Sequence, residues 1–304
     1  MRLRFIITPL CIAIAADAQA HGIAGNRFFP ATLAVDDPAV ADELTAPQIQ
    51  EFKDADSGAW TRNTSAEYSK RITRSFGVSF GETYIQQEGR GGQKEINGFD
   101  NVDVTAKYQF ITNDAHELIV SAGLGWGIGG TGAERFSTLT PTLFFGKGFG
   151  DLPDSTPYLQ PLAVTGSLGI GLPTQNYKNT VDADTGALSR EAHPDLLNYG
   201  FTLQYSLPYL QQHVRDVGLT APFNRLVPLV EFNFQTPFAR GGSRTTGTIN
   251  PGLIWAGTES QIGVEAVISL NGDSGKGVGA VAQLHFYLDD IFPGSLGRPL
   301  LDVP

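Results

Sequence analysis

Sulfur is almost absent from this chain: 304 residues hold one cysteine, Cys11, and one methionine, Met1. Both fall in a stretch that reads as a removable export signal. Arg2 and Arg4 make a short basic start, Phe5 to Ala16 is largely apolar, and Ala18-Gln19-Ala20 has the small-x-small form of a cleavage site. Residues 1-20 are therefore expected to be removed, leaving His21 first. The remainder has no thiol, which excludes disulfides and thiolate metal centres. Cys11 follows Leu10, where a lipoprotein signal needs a small residue, so lipidation is not expected.

Long apolar runs are also missing. Beyond the signal nothing reaches the ~18 to 20 apolar residues of a spanning helix. Positive charge is scarce: 21 Lys and Arg stand against 31 Asp and Glu, a formal net charge of −10. That balance argues against nucleic acid or anionic head groups as partners held by net charge. No Ser-His-Asp order, phosphate loop or metal-protease motif is visible. Hence no catalytic residue and no cofactor is expected, and the chain does not read as an enzyme.

Metal chemistry has few candidates. A free amino terminus beside the imidazole of His21 is a copper candidate, but His116, His193, His213 and His285 show no ligand spacing. Asp54-Ala-Asp-Ser-Gly58 and Asp182-Ala-Asp-Thr-Gly186 resemble the start of a calcium loop, yet lack the closing Glu and place Gly one position early. Asp182 and Asp184, in the longer connection, are the better of the two for a loosely held divalent ion.

What the chain does have is glycine and aromatics: 36 Gly, 19 Phe, 9 Tyr and 3 Trp. With no linker-like stretch, this suits one large all-β domain. From Leu118 to Gly129 apolar side chains occupy the even positions, and from Ser121 onward Ser and small residues, chiefly Gly, occupy most odd ones. Successive side chains of a strand point to opposite faces, so one face meets an apolar medium and the other does not. The same alternation recurs over Val102 to Ile111, Leu197 to Ser206, Ile262 to Asn271 and Val278 to Leu288. Weaker versions span Phe76–Tyr84, Leu139–Phe145, Leu162–Ile170, Leu226–Phe234 and Ile249–Trp255, and Tyr68–Ile72 is the least regular.

The clearer runs match the ~9 to 11 residues of a tilted membrane strand, whereas sandwich strands are usually shorter, about five to six. Strands can enter lipid only as a closed barrel. The expected fold is thus an antiparallel up-and-down transmembrane β-barrel. Eleven runs plus the even-number rule give twelve strands, with ten as the fallback. The missing strand belongs either within Phe28–Val35 or just before Trp60. Connections near Arg74, Asn113–His116, Asp151–Pro157 and Gly257–Ser260 are short, and those at Gly89–Asn101, Gly171–Pro194, Ala239–Thr245 and Asn271–Val278 are longer. Ser206–Arg225 breaks this alternation and holds a short helix candidate, Leu207 to Val217. Tyr108, Trp126, Tyr199, Tyr205 and Trp255 are candidates for aromatic belts.

The run Glu67-Tyr-Ser-Lys-Arg-Ile-Thr-Arg-Ser-Phe-Gly-Val-Ser-Phe-Gly81, with the signal and the acidic N-terminal stretch, resembles the opening strands of a bacterial outer-membrane family assigned as MetA-type transporters of the phenol meta-degradation pathway. That family is distantly similar to the long-chain fatty-acid and aromatic-hydrocarbon channels. The resemblance implies a passive channel for a small apolar or aromatic solute, with segment 21-60 as a plug or lid, a barrel over 61-289 and a tail over 290-304. It implies outer-membrane lipid and the assembly machinery as partners. The last strand reaches Phe286-Tyr287-Leu288 and then continues, a departure from strands that finish on a terminal aromatic residue.

The interior face supplies the candidate site. Gly123, Gly125, Gly127 and Gly129 would leave one wall bare, for a solute path or a docked plug, or simply to let a narrow barrel close. Lys107, Glu231, Glu265 and His285 would line the lumen, together with Asp103 and Arg71. A hairpin turning near Ser274 would set Glu265 diagonal to His285, within reach across adjacent strands. Two rival readings remain: a structural or sensory barrel with a filled lumen, and an outer-membrane enzyme acting on lipid.

Overall fold

The computed structural model describes residues 22-89, 95-181, 188-242 and 244-301. Twelve antiparallel strands form its wall: β1 (Glu43–Lys53), β2 (Trp60–Arg71), β3 (Phe76–Gln87), β4 (Asp103–Asn113), β5 (Leu118–Gly127) and β6 (Thr138–Gly148), followed by β7 (Leu162–Pro173), β8 (Asp195–Tyr205), β9 (Leu226–Ala239), β10 (Thr246–Ala256), β11 (Ser260–Ser269) and β12 (Val278–Tyr287). Each pairs with its neighbours in sequence, and β12 pairs with β1 to close the ring. The expected count of twelve is met.

The strand hidden in the sequence is β1, just before Trp60. Its alternation is blurred because the phase changes at Pro47: Thr45 faces inward before it, and Gln48 and Gln50 face inward after it. Pro47 lies where the register with both neighbours shifts between Thr45 and Gln48. A bulge is one of the few places in a sheet that tolerates a missing N–H. Because β1 belongs to the wall, the interior segment expected over 21-60 ends at Asp42, and the barrel expected from residue 61 begins at Glu43. The export signal over 1-20 and His21 lie outside the described residues.

The two faces of the wall are the inverse of a water-soluble protein. Outward side chains are apolar and exposed, among them Phe80, Tyr108, Leu124, Trp126, Leu168, Phe201, Leu203, Ile262 and Val264. Tyr199 packs beside Phe234 and Phe201 beside Phe232 across the β8/β9 pair. Inward side chains are polar and buried: Thr165, Thr202, Gln204, Glu231, Asn250, Gln261, Gln283 and His285. No helix among the described residues is long and apolar enough to cross a membrane.

One end of the barrel carries both Gly22 and Leu301, the first and last described residues, and is called the terminal end; the other is the loop end. The 206-225 connection at the terminal end does contain a helix, which stops at Val214 rather than Val217. Beyond β12 a short helix, Leu288–Ile291, leads the tail back under the β2–β3 turn, where Leu300 N–H donates to Arg71 O and Leu301 N–H to Ile72 O.

Residues 22-42 enter the lumen as a plug. Its side chains need room, and inward glycines on four strands supply it. A Cβ at Gly146 would meet Pro38 Cγ at 2.9 Å, one at Gly200 would meet Val35 Cγ2 at 2.8 Å, one at Gly263 would meet Leu33 Cδ1 at 2.5 Å, and one at Gly77 would meet Val40 Cγ1 at 2.9 Å. Leu33 completes an apolar cluster with Val227, Leu229, Ile254 and Val267. Phe29 does the same with Ala24, Ile119 and Ala163.

Candidate functional site

Four anchors hold the plug, each joining a plug residue to a charged or polar group of the wall or its turns. At the terminal end Arg27 donates from Nε to Glu117 Oε2 (3.1 Å) and from Nη1 to Pro161 O (3.0 Å), with its guanidinium 3.8 Å above the centre of the Tyr209 ring. Tyr209 donates its hydroxyl to Glu117 Oε1 at 2.8 Å. In the lumen, Glu231 receives three successive plug amides: Leu33 at Oε1 (2.6 Å), and Ala34 (3.1 Å) and Val35 (2.6 Å) at Oε2. A run of convergent N–H groups is a ready anion receptor. Across the lumen Lys107 Nζ meets Asp36 Oδ2 and Asp37 O, both at 2.9 Å, and lies 4.4 Å from the centre of the Phe144 ring. Finally Asp42, fully buried, takes Lys70 Nζ and Arg71 Nε at 2.7 Å each, while Lys70 also reaches the carbonyls of Leu296 and Arg298 in the tail.

Between the plug and β1 to β4 a cavity of about 310 Å3 remains. Its lining includes Asp103, the first residue of β4 at the loop end, and Glu43, the first residue of β1 at the terminal end. On β1 and β2 the lining covers the terminal-end half of the wall, Glu43 to Gln48 and Ser65 to Lys70, and on β3 and β4 it rises to Thr83 and Asp103. Asp36, Asp37, Glu43, Glu67, Glu82 and Asp103 line it, against Lys70, Lys107 and His285. Lys70 is committed to Asp42 and Lys107 to Asp36, so the lining is acidic on balance.

The residues expected to form the site divide accordingly. Lys107, His285 and Asp103 do line the crevice. The β5 glycines do not. Gly123 faces the edge of Phe144, Gly125 faces Thr105 and Thr140, and Gly127 faces Asp103, so the bare stripe accommodates neighbouring wall side chains instead of the plug. Gly129 lies past the end of β5 in a loop, where its N–H donates to Ser137 Oγ and a Cβ would run into the Phe136 backbone. Glu231 and Glu265 stand on the opposite wall. The Glu265–His285 pairing is overturned: the hairpin register sets Glu265 opposite Val281 and His285 opposite Gln261. The turn centres one residue earlier than Ser274, so His285 lies four residues, not two, from the position opposite Glu265. His285 instead bonds Thr45 Oγ1 through Nδ1 at 2.9 Å, with Glu43 at 3.6 Å from Nε2. Arg71 belongs to the Asp42 anchor rather than the lumen.

Asp54 accepts both the N–H and the hydroxyl of Ser57 at 2.7 Å, which holds its carboxyl below the usual range and makes the 54-58 stretch a self-closed turn. Asp182 and Asp184 lie outside the described residues. Sequence reasoning missed Arg27, Asp42 and Glu117 as anchors, and Glu43, Glu67 and Glu82 as lining. For the lining the signal was present, since Glu67 alternates in phase with Ser65 and Ser69.

No family model matches the sequence, and no curated protein matches it. Solved structures do. An outer membrane channel from Pseudomonas putida F1 superposes with a TM-score of 0.53 at 10% identity, covering 86% of this chain and 99% of its own. The chain has that channel's fold. The β domain of the Bordetella autotransporter BrkA (TM-score 0.48, 12% identity, 81% of this chain and 98% of its own) and the NanC porin (0.47, 10%, 80% and 99%) are also similar. At such identities the likeness is one of fold.

Proposed function

We propose that this protein is an outer-membrane β-barrel that passes a small polar solute, with preference for cations, along the crevice between its plug and β1 to β4. The observation that carries this reading is the excess of acidic over basic residues along the crevice, among them Asp36, Asp37, Glu43, Glu67 and Asp103. The apolar exterior, the export-signal pattern over 1-20 and the shared barrel fold support the location in the outer membrane. Transport would be passive. The apolar or aromatic solute implied by the resemblance of Glu67–Gly81 to the phenol-pathway transporters is favoured less, because acidic residues outnumber basic ones along the crevice.

A barrel with a filled lumen and a purely structural or sensory role is the second reading, favoured by how thoroughly the plug is anchored. Planar-bilayer recordings of the purified protein separate the two. A channel gives unitary conductance and, across a KCl gradient, a reversal potential of cation-selective sign. Glu67→Gln should move that potential toward zero, most clearly at low salt, where the Debye length exceeds ~10 Å. A silent bilayer with correctly folded protein would leave the structural reading standing.

A further inference from the structure

The wall opposite the crevice carries oxygen atoms that the plug does not satisfy. Glu231 on β9, Asn250 on β10 and Glu265 on β11 all face the interior, with Glu231 directly opposite Asn250 and Glu265 directly opposite Gly252. Gly252 leaves space that the Glu265 stem fills: a Cβ there would lie 2.4 Å from Glu265 Cγ. The Glu265 carboxyl is thereby laid beside Glu231 and Asn250. The three residues are 0%, 1% and 5% exposed for Glu231, Asn250 and Glu265 respectively. Glu231 has the plug amides. Neither oxygen of Glu265, nor Asn250 Oδ1, makes a hydrogen bond of ordinary length and angle among the described residues, and the polar groups beside Glu265 are Asn250 and Glu231 themselves.

The surroundings offer no positive charge. The plug brings Leu33, Ala34 and Val35 to this point, and β8 brings Thr202. Among the described residues neither carboxylate forms an ion pair with Lys, Arg or His, in contrast to Asp42, Glu117 and Asp36, each of which has its cation. Buried carboxylates are ordinarily paired or bound to metal.

We propose that Glu231, Asn250 and Glu265 form an oxygen site for one hard divalent cation, Ca2+. Two carboxylates match its charge, and an amide carbonyl is a common companion ligand. Ca2+ accepts irregular oxygen shells, whereas Mg2+ demands a near-ideal octahedron. The two ends of the Asn250 amide exchange by rotation about its terminal torsion, so its oxygen can be the atom presented. A cation here offsets the charge of Glu265 while Glu231 continues to accept from the plug, which ties the seat of the plug to divalent-ion supply. This inference does not depend on whether the barrel conducts.

The full chain, folded in detergent and stripped with EDTA, is titrated with CaCl2. Binding of one Ca2+ per chain is expected, in the ~10−4 to 10−3 M range of extracellular sites, with a rise in thermal midpoint. Glu265→Gln should abolish stoichiometric binding, and Asn250→Leu, which leaves both carboxylates in place, should weaken it. Absence of Ca2+ binding by the unaltered protein, or undiminished binding by Glu265→Gln, overturns the proposal. Absence of binding with Glu265→Gln more stable than the parent in Ca2+-free buffer overturns it in favour of a proton shared by the two carboxyls. Should Glu265→Gln not fold, the unaltered protein and Asn250→Leu decide the matter.

Discussion

Arg27 shows what a single side chain contributes when its partners are all buried. Replacing it with Met keeps much of the apolar stem but leaves Glu117 without its cation. Removing one partner of a buried pair costs about 3–5 kcal/mol, so Arg27→Met should lower the urea midpoint in micelles by a corresponding amount and expose the plug to protease. Tyr209 adds a pH signature to the same anchor. Burial, and then its hydrogen bond to Glu117, push its hydroxyl from 10.0 to about 12. Between those values the folded protein keeps a proton that the unfolded chain has lost. This contribution is therefore complete below pH 10 and disappears as pH rises through that window. Tyr209→Phe should remove that portion of the pH dependence, as read from unfolding transitions at stepped alkaline pH. Neither residue could be identified from sequence pattern. Arg27 and Glu117 are 90 positions apart, and both sit where strand alternation has stopped.

Among the elements, β5 and β11 show how the same residue type serves two ends. The bare face of β5 is legible as alternation, but what fills it depends on which neighbours lean over it. Gly125 has nothing closer than 3.6 Å around an added Cβ. Gly125→Ala should thus fit and stabilise the strand by roughly 0.5–1 kcal/mol through lost unfolded-state freedom, a gain that thermal unfolding would register with conductance unchanged. Gly263 on β11 is the contrasting case, since Leu33 of the plug occupies the position its side chain would take. Gly263→Val should evict Leu33, loosen the plug and raise both protease cleavage within 22-42 and open-channel noise. A result in which Gly263→Val matched the parent in both assays would contradict the packing described. The strand periods themselves were readable because side-chain direction follows residue parity. The β11–β12 register was not, because one residue of turn length moves every cross-strand partner by two.

For the whole molecule, the inside-out distribution of apolar residues was plain in the sequence, and with it the barrel and its twelve strands. The crevice was hidden: it is bounded by β1 to β4, by Gln283 and His285 at the far end of the chain, and by a plug whose course depends on contacts such as Leu33 with Glu231, 198 positions away. Deleting 22-41 removes three of the four anchors and the material that narrows the lumen. The truncated barrel should conduct more than the parent per channel in bilayers and should show weaker cation preference, because Asp36 and Asp37 leave with the plug.

Asp42 ends the plug, precedes β1, grips the last two residues of β2 and accepts no solvent, while its carbonyl takes the N–H of Leu288 at the start of the tail. The beginning, the seam and the end of the chain are stitched at one point. Such a stitch makes three events interdependent: closing the ring between β12 and β1, seating the plug and docking the tail all meet at one carboxylate and its own carbonyl.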